Sequence, residues 1–254
     1  MRAPILLAIV LAAPVSAVRL LRVPAYAPLK RIIDFVVATT VLLLLSPLLA
    51  VVAIAVKATS PGPVIYRARR AGLGNNPIAV CKFRTMVEHA DRSGTITVGE
   101  DQRITRLGRT LRRTKIDELP QLWNIVRGDM SLIGPRPESL NVVDTYYTRE
   151  DRELLAVRPG LTSPGTLLYY VYHEHVPLAA TADHGVEEYY ARHFLRPRLL
   201  ADLHYLRHRS FAYDLVLVLQ TVKIMAVSMA GGTANFEPKF ASPPPPSWRT
   251  GGPT

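Results

Sequence analysis

The feature that most constrains this chain is an uninterrupted apolar segment at residues 35–56. Its 22 residues carry no charge, and as a straight helix they would extend about 33 Å, enough to cross the hydrocarbon core of a membrane. Lys30 and Arg31 precede the segment, and Lys57 and Arg67 follow it. Because positively charged residues stay on the cytoplasmic side, both ends of the segment favour the same side of the membrane.

The middle of the apolar segment contains Ser46 and Pro47. Proline has no N–H and its ring crowds the preceding turn, so a break in the helix is expected there. A helix–break–helix hairpin that enters and leaves one leaflet would satisfy both the break and the flanking charges. A spanning helix with a proline kink is the alternative, and these residues alone leave the two open.

Composition narrows the class of protein further. The chain has 254 residues, a formal net charge of +11 and a mean hydropathy of +0.13, and 48% of its residues are hydrophobic. That apolar content excludes a disordered chain and disfavours a basic nucleic-acid binder, which is usually polar. The single cysteine excludes internal disulfides and multi-cysteine metal sites. We therefore expect a basic protein that is held to a membrane by a small part of its length.

The distribution of apolar, charged and proline residues divides the chain into four segments. Residues 1–28 are an apolar N-terminal extension, residues 29–58 the membrane helix, residues 59–236 a cytoplasmic domain, and residues 237–254 a proline-rich tail that is expected to be disordered. Val15-Ser16-Ala17 is similar to a signal-peptide cleavage site. An additional membrane-contacting segment or an over-long start is preferred, because a basic body is less expected outside the cell.

The cytoplasmic domain is expected to be α+β and mainly helical, with amphipathic helices at the membrane interface. Short strands are predicted at residues 64–66 and 78–83. Arginines at every third position predict a helix over residues 103–115, and an i, i+3, i+4, i+7 pattern predicts another over residues 119–126 that ends at Gly128. Two further helices are predicted at residues 187–208 and 211–229, and the second is apolar enough to lie on a membrane.

The most informative stretch for chemistry lies at the start of the second of these helices. Thr114 with Asp117 fits a capping box, and Pro120 is tolerated only in a first turn, so Asp117 and Glu118 are predicted at a helix N-terminus. A carboxylate held ionised beside Arg112 can attack an electrophilic phosphorus, and its neighbour can help to bind a divalent cation. An acidic helix start with solvated charges is the common alternative.

Two smaller expectations concern buried positions. Asp34, inside the start of the apolar segment, is costly unless it is paired, with Arg31 or another cation of the globular part as the expected partner. Trp123 is expected in the core, and Cys81 in a strand.

Four motifs occur in a fixed order. They favour a catalytic carboxylate pair over a solvated helix start. They are Lys82-Phe83-Arg84-Thr85-Met86, Asp117-Glu118-Leu119-Pro120-Gln121-Leu122, the run from Gly128-Asp129-Met130-Ser131 to Gly134-Pro135-Arg136-Pro137-Glu138, and Arg158-Pro159-Gly160-Leu161-Thr162. Over residues 29–162 the chain closely resembles the bacterial sugar transferase family, the monotopic phosphoglycosyl transferases. The resemblance extends to the Ser46-Pro47 break and favours the re-entrant hairpin over the spanning helix.

The resemblance implies a role for each motif residue. Asp117 would be the nucleophile that forms a phospho-sugar ester, with Glu118 as its partner and Mg²⁺ held by both carboxylates. Arg112 would neutralise phosphate, and Arg136 would contact the nucleotide end of the donor. Further substrate-binding residues would be Lys82 and Arg84 in the same basic cleft, and Arg158 and Thr162 on a second loop.

The resemblance also implies a reaction and a location. A sugar-1-phosphate would move from a nucleotide diphosphate sugar, expected to be a UDP-sugar, to polyprenol phosphate (undecaprenyl phosphate), at the start of exopolysaccharide, capsule or O-antigen assembly. The enzyme would be monotopic, on the cytoplasmic face of the bacterial inner membrane, in contact with membrane lipid, with no nucleic-acid partner and with a homodimer as a possible assembly. A non-catalytic membrane scaffold that keeps the fold is the alternative.

Two departures from the family pattern bear on the donor. Where members often continue with Gly-Trp-x-Gln, this chain has Ser163-Pro164-Gly165-Thr166, and Ala68 stands where many members have glutamine. The first departure lies near the expected donor region, so the identity of the sugar stays open.

Overall fold

A computed structural model describes residues 26–88, 90, 101–172, 186–232 and 235–240. The expectations for most of the N-terminal extension and for most of the proline-rich tail lie outside these residues. Within them, the expectation of a mainly helical α+β fold with few strands is confirmed.

Helix α1, which contains the predicted membrane segment, runs without interruption over Tyr26–Thr59 and includes Pro47. The predicted break does not end the helix. Pro47 cannot donate to the carbonyl of Leu43, and the hydroxyl of Ser46 donates to that carbonyl instead, at 2.7 Å. The helix therefore keeps its backbone course past the proline, and the re-entrant hairpin stays a prediction.

Both halves of α1 pack on the same globular body. In the first half, Ala38 is fully buried in a cluster with Ile125 and Met130. In the second half, Val52 and Val56 join a separate cluster that includes Phe83 and Leu111. The opposite face of α1 is apolar and exposed along its length, including Val36, Leu43, Leu44, Val51 and Ile54. A helix with this face exposed and both halves attached to one body can lie in a membrane surface.

Polar contacts fix the first turns of α1 to the domain. The guanidinium of Arg31 donates to the carbonyls of Ile125 and Val126, at 2.6 and 2.8 Å. Asp34 accepts hydrogen bonds from the Ser131 hydroxyl at 2.7 Å and from the backbone N–H of Leu132 at 3.2 Å.

The expectation that Asp34 is paired is confirmed, but its cationic partner is Lys30 rather than Arg31. The ammonium of Lys30 lies 3.6 Å from the carboxylate of Asp34, one turn away on the same helix face. Arg31 points instead toward the C-terminal end of the helix that contains Ile125, where unpaired carbonyls attract a cation.

A β-hairpin follows α1. Strands β1 (Ile65–Ala71) and β2 (Pro77–Phe83) are antiparallel and are joined through a 3₁₀ turn at Leu73–Asn75. Both strands were predicted, and β1 is longer than predicted. Cys81 lies in β2, as expected, and its backbone N–H donates to the side chain of Asn124 at 2.9 Å. The side-chain amide nitrogen of Asn124 in turn donates to the carbonyl of Ala79. One buried side chain therefore holds the hairpin to the helix that carries Asn124.

Helices α2 (Arg106–Arg113) and α3 (Gln121–Arg127) confirm the two helical patterns, and α3 ends at Gly128 with φ of +90°. The predicted capping box between them is wrong. The hydroxyl of Thr114 donates back to the carbonyl of Thr110 at 2.9 Å. Lys115 then turns the chain with φ of +57°, and Asp117 and Glu118 lie in a 3₁₀ turn, Ile116–Glu118, ahead of α3.

The C-terminal part wraps around a short parallel pair of strands, β3 (Ser131–Ile133) and β4 (Gly160–Thr162). Helix α4 (Leu140–Tyr146) and a 3₁₀ segment (Asp151–Ala156) connect the two strands. Helix α5 (Pro164–Tyr172) follows, then α6 (Val186–Tyr190), which passes through a π-helical turn into α7 (Arg196–His208), and α8 (Phe211–Met229). The predicted helices at residues 187–208 and 211–229 are confirmed. A core around Leu167, Tyr205 and Leu217 joins α5, α7 and α8.

Apolar side chains remain exposed outside α1. Helix α8 is, with α1, one of the two described helices long and apolar enough to cross a membrane, and it exposes Leu215 and Val222. The expectation that Trp123 is a core residue is wrong, because half of its surface is exposed. It projects from α3, which packs against α1. Indole side chains with this placement are typical of a membrane–water interface.

We expect both ends of α1 to face the cytoplasm. Single cysteines at Leu29 and at Ser60, in a Cys81→Ser background, should react with a membrane-impermeant thiol reagent only after the cells are opened. Both ends should behave alike because both halves of α1 pack on one body. Pro47→Ala should increase labelling of one end from outside, because alanine restores the backbone hydrogen bond to the Leu43 carbonyl and so stiffens a helix that is long enough to cross. Outside labelling of either cysteine in the parent would show that the helix spans.

Candidate active site

A cavity of about 660 Å³ lies between the β-hairpin, the turn that carries Asp117, and helices α5 and α7. Eight basic side chains and four carboxylates line it. An excess of positive charge in a concave site attracts anionic ligands such as phosphates. The basic residues are Arg70, Lys82, Arg84, Arg112, Arg113, Lys115, Arg136 and Arg198, and the acidic residues are Glu88, Asp117, Glu118 and Glu138.

Asp117 is buried in the wall of this cavity, with 7% of its surface exposed. Its Oδ1 has no hydrogen-bond partner. Burial, followed by the neighbouring charge of Glu118, raises the pKa of Asp117 to about 6, against the opposing charges of Lys82, Lys115 and Arg112. A carboxylate is a reactive oxygen nucleophile when it is poorly solvated, has a pKa near neutral pH and accepts no hydrogen bond.

Glu118 is held quite differently from its neighbour. Its Oε1 accepts from the ammonium of Lys82 at 2.9 Å, and its Oε2 accepts from the hydroxyl of Tyr170 at 2.7 Å. Burial opposes its ionisation, but the charges of Lys82, Arg136 and Lys115 outweigh burial and hold the pKa of Glu118 well below its usual range. The pair therefore consists of one fixed, ionised carboxylate and one unpartnered carboxylate with a raised pKa.

Lys115 completes the cationic surroundings of the pair, and sequence reasoning did not single it out. Its ammonium lies 3.8 Å from the centre of the Tyr170 ring, which is a cation–π distance. Burial lowers its pKa, against the charges of Glu118 and Asp117. Its left-handed backbone, with φ of +57°, is uncommon for a residue with a side chain and often marks a functional turn. Its only sequence signal is its position two residues before Asp117.

Arg112 and Arg136 approach the carboxylate pair through different contacts. The Nε of Arg112 donates to the hydroxyl of Thr85 at 2.8 Å, and its charge acts on Asp117. The guanidinium of Arg136 lies 5.4 Å from the centre of the Tyr169 ring, and its charge acts on Glu118. The backbone N–H of Arg136 donates to Asp202 at 3.3 Å.

The carboxylates that could have held Arg136 as a purely structural residue have other partners. Glu138 forms a buried ion pair with Arg198 at 2.7 Å and accepts from the hydroxyl of Tyr190 at 3.0 Å. Asp129 lies 3.5 Å from Arg127. The guanidinium of Arg136 is thus left facing the cavity and the aromatic wall.

The structure brings six of the eight substrate-site residues expected from sequence to one cavity and leaves two outside it. Asp117, Glu118, Arg112, Arg136, Lys82 and Arg84 line the cavity. Arg158 is exposed, and its Nε donates to the carbonyl of Gly128 at 2.8 Å. The hydroxyl of Thr162 is 2.9 Å from that of Thr221 on α8. Arg158 thus joins its loop to the end of α3, and Thr162 joins β4 to α8. Their neighbours Gly160 and Leu161 line the cavity.

Helix α5 supplies two further cavity residues that the sequence motifs missed, Tyr169 and Tyr170. The departure from the family pattern at Ser163-Pro164-Gly165-Thr166 forms the first turn of this helix. The hydroxyl of Ser163 accepts from the backbone N–H of Thr166 at 2.9 Å, as an N-cap does, and both side chains are fully buried. The departure therefore sets the position of the aromatic wall.

The expected Mg²⁺ fits part of this site. Within the described residues, no group of three or more His, Cys, Asp or Glu side chains could enclose a metal ion. Mg²⁺ is often bound by one or two carboxylates together with substrate phosphates. The unpartnered Oδ1 of Asp117 suits that arrangement, with Glu118 beside it.

Comparison with known proteins gives concordant results. The model of the family described as bacterial sugar transferase matches residues 25–228. Among curated relatives, the UDP-N-acetylgalactosamine-undecaprenyl-phosphate N-acetylgalactosaminephosphotransferase of Aeromonas hydrophila is 35% identical over 211 residues, which is 80% of this chain and 45% of the relative. The UDP-glucose:undecaprenyl-phosphate glucose-1-phosphate transferase of Caulobacter vibrioides is 39% identical over 197 residues, 76% of this chain and 68% of the relative.

A shorter relative matches over most of its length. The exopolysaccharide production protein PSS of Rhizobium leguminosarum bv. phaseoli is 35% identical over 206 residues, 76% of this chain and 93% of the relative. The chain thus spans nearly all of the Rhizobium protein but less than half of the Aeromonas protein.

We expect the carboxyl group of Asp117 to titrate near pH 6. Infrared difference spectra with Asp117→Asn as the reference should isolate this transition. Glu118→Gln removes a neighbouring negative charge and should lower the pKa of Asp117. Lys115→Met removes a neighbouring positive charge and should raise it. A transition near pH 4 that neither substitution moves would contradict this account of the site.

Proposed function

The chain belongs to the bacterial sugar transferase family, and we propose that it transfers a sugar-1-phosphate from a nucleotide diphosphate sugar to a polyprenol phosphate. A UDP-sugar as donor and undecaprenyl phosphate as acceptor are supported by the names of the Aeromonas and Caulobacter relatives, which state those substrates. The name of the Rhizobium relative supports a role in exopolysaccharide assembly.

The observation that carries the proposal is the unpartnered carboxylate of Asp117 in a strongly basic cavity. In the first step a carboxylate oxygen of Asp117 attacks the β-phosphorus of the donor. The bond from this phosphorus to the bridging oxygen breaks, and UMP leaves with the electron pair. In the second step a phosphate oxygen of the acceptor attacks the same phosphorus, the aspartyl ester bond breaks, and polyprenyl-diphosphate-sugar is released.

The surrounding residues account for the charge that the reaction moves. Arg112, Lys82 and Lys115, whose charges already act on Asp117, would neutralise the phosphoryl oxygens in the transition state. Arg136, against Tyr169, would bind the nucleotide end of the donor. Glu118 is committed to Lys82 and Tyr170, so it keeps the site anionic beside the nucleophile and orients Lys82.

Asp117, through its unpartnered Oδ1, would also hold Mg²⁺ together with the donor phosphates, and the negative charge of Glu118 beside it would favour the bound ion. When bound, the ion would neutralise charge on those phosphates.

The position and flanking charges of α1 support a location for the reaction. We place the protein on the cytoplasmic face of the bacterial inner membrane, as a monotopic protein, because the flanks of α1 are basic and both of its halves pack on one domain. The apolar face of α8 and the exposed Trp123 extend the same contact with lipid. A cavity beside such a surface can receive one substrate from water and the other from the membrane.

The proposal is tested by following UMP release from a UDP-sugar with purified protein in nanodiscs. We expect Asp117→Asn to retain less than about 1% of the wild-type rate, because an amide cannot act as the nucleophile. Mass spectrometry of wild-type protein quenched without acceptor should show a phospho-sugar on Asp117. Deamidation of the variant must be excluded by mass. Absence of UMP release from the wild type across a panel of UDP-sugars would favour the non-catalytic scaffold.

Stability provides the matched control for this variant. The folded state raises the pKa of Asp117 from 3.8 to about 6, so the ionised carboxylate destabilises the folded protein at pH 7. Removing the charge should raise the free energy of unfolding by as much as about 3 kcal/mol, at 1.36 kcal/mol per pKa unit. The melting temperature of Asp117→Asn should therefore rise while activity is lost. A lower melting temperature would mean that the variant lost activity through its fold.

Arg136→Lys should impair the release of UMP although the charge is kept. Lysine lacks the planar fork that can bind two phosphate oxygens and stack on Tyr169. Loss of one such donor costs about 10²–10³-fold in rate. Single-turnover UMP release and melting temperature should be measured on the same preparation. Normal release with a lowered melting temperature would show that Arg136 only holds the Pro-Arg-Pro loop.

A further inference from the structure

We propose that Arg84 receives the phosphate of the lipid acceptor, at the end of the cavity beside the membrane helix. The inference rests on the proposed function and deepens it, because it assigns one wall of a shared cavity to the acceptor and the opposite wall to the donor.

The guanidinium of Arg84 is buried and has unused donors. Only 8% of the residue is exposed, and one nitrogen, Nη2, donates to the carbonyl of Ser60 at 2.5 Å. The other two nitrogens, Nε and Nη1, are buried without a hydrogen-bond partner. Buried donors are almost always paired, so two on one cationic group indicate a ligand that completes them.

No ion pair neutralises the charge of Arg84 among the residues that the structure describes. The exposed carboxylate of Glu88 approaches the same side of Gly62 as Nη1, but it forms no hydrogen bond or ion pair with this guanidinium. Gly62, with φ of +103°, lies against Nη1 and leaves no room for a Cβ. The backbone therefore closes tightly on one side of the guanidinium, while the residue lines the cavity on the other.

Arg84 stands where α1 meets the domain. Ser60, which it contacts, follows directly after the last residue of α1, and the ammonium of Lys57 donates to the carbonyl of Gly62 at 3.4 Å. Phe83, the neighbour of Arg84, packs with Val52 and Val56 of the membrane helix. A ligand at Arg84 is thus adjacent to the surface that contacts lipid.

The residues around this end of the cavity are suited to a hydrocarbon chain. Pro63, Met86, Val87 and Ile104 line it, and Met86 and Ile104 are paired by a β-bridge. Val87 is half exposed. A phosphate with an attached isoprenoid chain offers one anionic group for Arg84 and apolar surface for these residues, whereas a nucleotide offers no such chain.

The donor wall has a different composition. Arg136 lies against Tyr169 on α5 and is tied by its backbone to Asp202 on α7. Its charge acts on Glu118, whereas the charge of Arg112 acts on Asp117. Arg112 in turn is bonded to Thr85, the residue next to Arg84. The nucleophile therefore has Arg84 and Thr85 on the side of the membrane helix and Arg136 on the side of α5.

The two half-reactions separate these assignments. We would measure the burst of UMP released without acceptor, and then the apparent KM for undecaprenyl phosphate, with Arg84→Gln in nanodiscs. The burst rate and amplitude should match the wild type, and the KM for the acceptor should rise at least tenfold. Arg136→Gln should show the reverse, a slow burst. Arg67→Gln is the matched control, because Arg67 is exposed on β1 between cavity residues Tyr66 and Ala68 and points to the opposite face.

The possible results decide the assignment of Arg84. A burst slowed as much by Arg84→Gln as by Arg136→Gln would place Arg84 with the donor and overturn the inference. An unchanged KM for the acceptor would overturn it as well. If Arg84→Gln lowers the melting temperature, Arg84→Lys replaces it, because lysine can keep the bond to Ser60. Equal losses in both half-reactions for Arg84→Lys would show a structural role and also overturn the inference.

Direct binding keeps the inference independent of the proposed reaction. Radiolabelled undecaprenyl phosphate should bind wild-type nanodiscs and bind Arg84→Gln at least tenfold more weakly, even if the wild type shows no burst. Unlabelled undecaprenyl phosphate should compete, and phosphatidic acid, which also carries a phosphomonoester, should compete poorly. Equal competition by phosphatidic acid would assign Arg84 to lipid headgroups in general and would overturn the choice of ligand.

Discussion

The ion pair between Lys82 and Glu118, completed by the hydroxyl of Tyr170, is the interaction on which the site depends. It joins the β-hairpin, the 3₁₀ turn and helix α5, three elements that are far apart in the chain. Removing one partner of a buried pair leaves the other charge uncompensated, which is much more costly than losing an exposed ion pair. Burial, together with the charge of the fixed Glu118 beside it, raises the pKa of Asp117, and the Oδ1 of Asp117 has no donor.

The membrane helix is attached to the same framework by polar groups rather than by packing alone. Arg31 caps the end of α3, and Asp34 accepts from the start of β3, so α1 holds both the helix after the carboxylate pair and the strand before the Pro-Arg-Pro loop. A second network continues outward, since Lys30 and Tyr26 both donate to Asp214 of α8, at 3.0 and 2.9 Å. The two apolar helices are therefore linked through buried charge, and the cavity has a fixed position relative to the lipid-facing surface.

Sequence reasoning reached those parts of the site whose signals are local. Helices α2, α3 and α8 follow apolar and charge periodicity. The ordered motifs predict Asp117, Glu118 and Arg136 as site residues, and Arg112 is predicted from its position five residues before Asp117. Sequence reasoning failed where contacts between residues far apart in the chain determine the position of a side chain. Trp123 fits the apolar pattern of α3, yet its side of the helix faces outward. Thr114 fits a capping box, but the left-handed turn at Lys115 breaks the register. No local pattern distinguishes Tyr170 from its neighbours, and its role arises only when α5 packs against the turn.

The serine before the proline in α1 has a consequence for how the helix can exist in hydrocarbon. Pro47 deprives the Leu43 carbonyl of its donor, and in a lipid interior no water would replace it. The Ser46 hydroxyl supplies that donor from within the helix. Proline alone would leave a dehydrated carbonyl, and serine alone would leave a straight helix with a redundant donor. The two residues thus act together. Pro47 removes one backbone hydrogen bond of the helix, and Ser46 provides the donor that keeps the freed carbonyl from being left dehydrated in lipid.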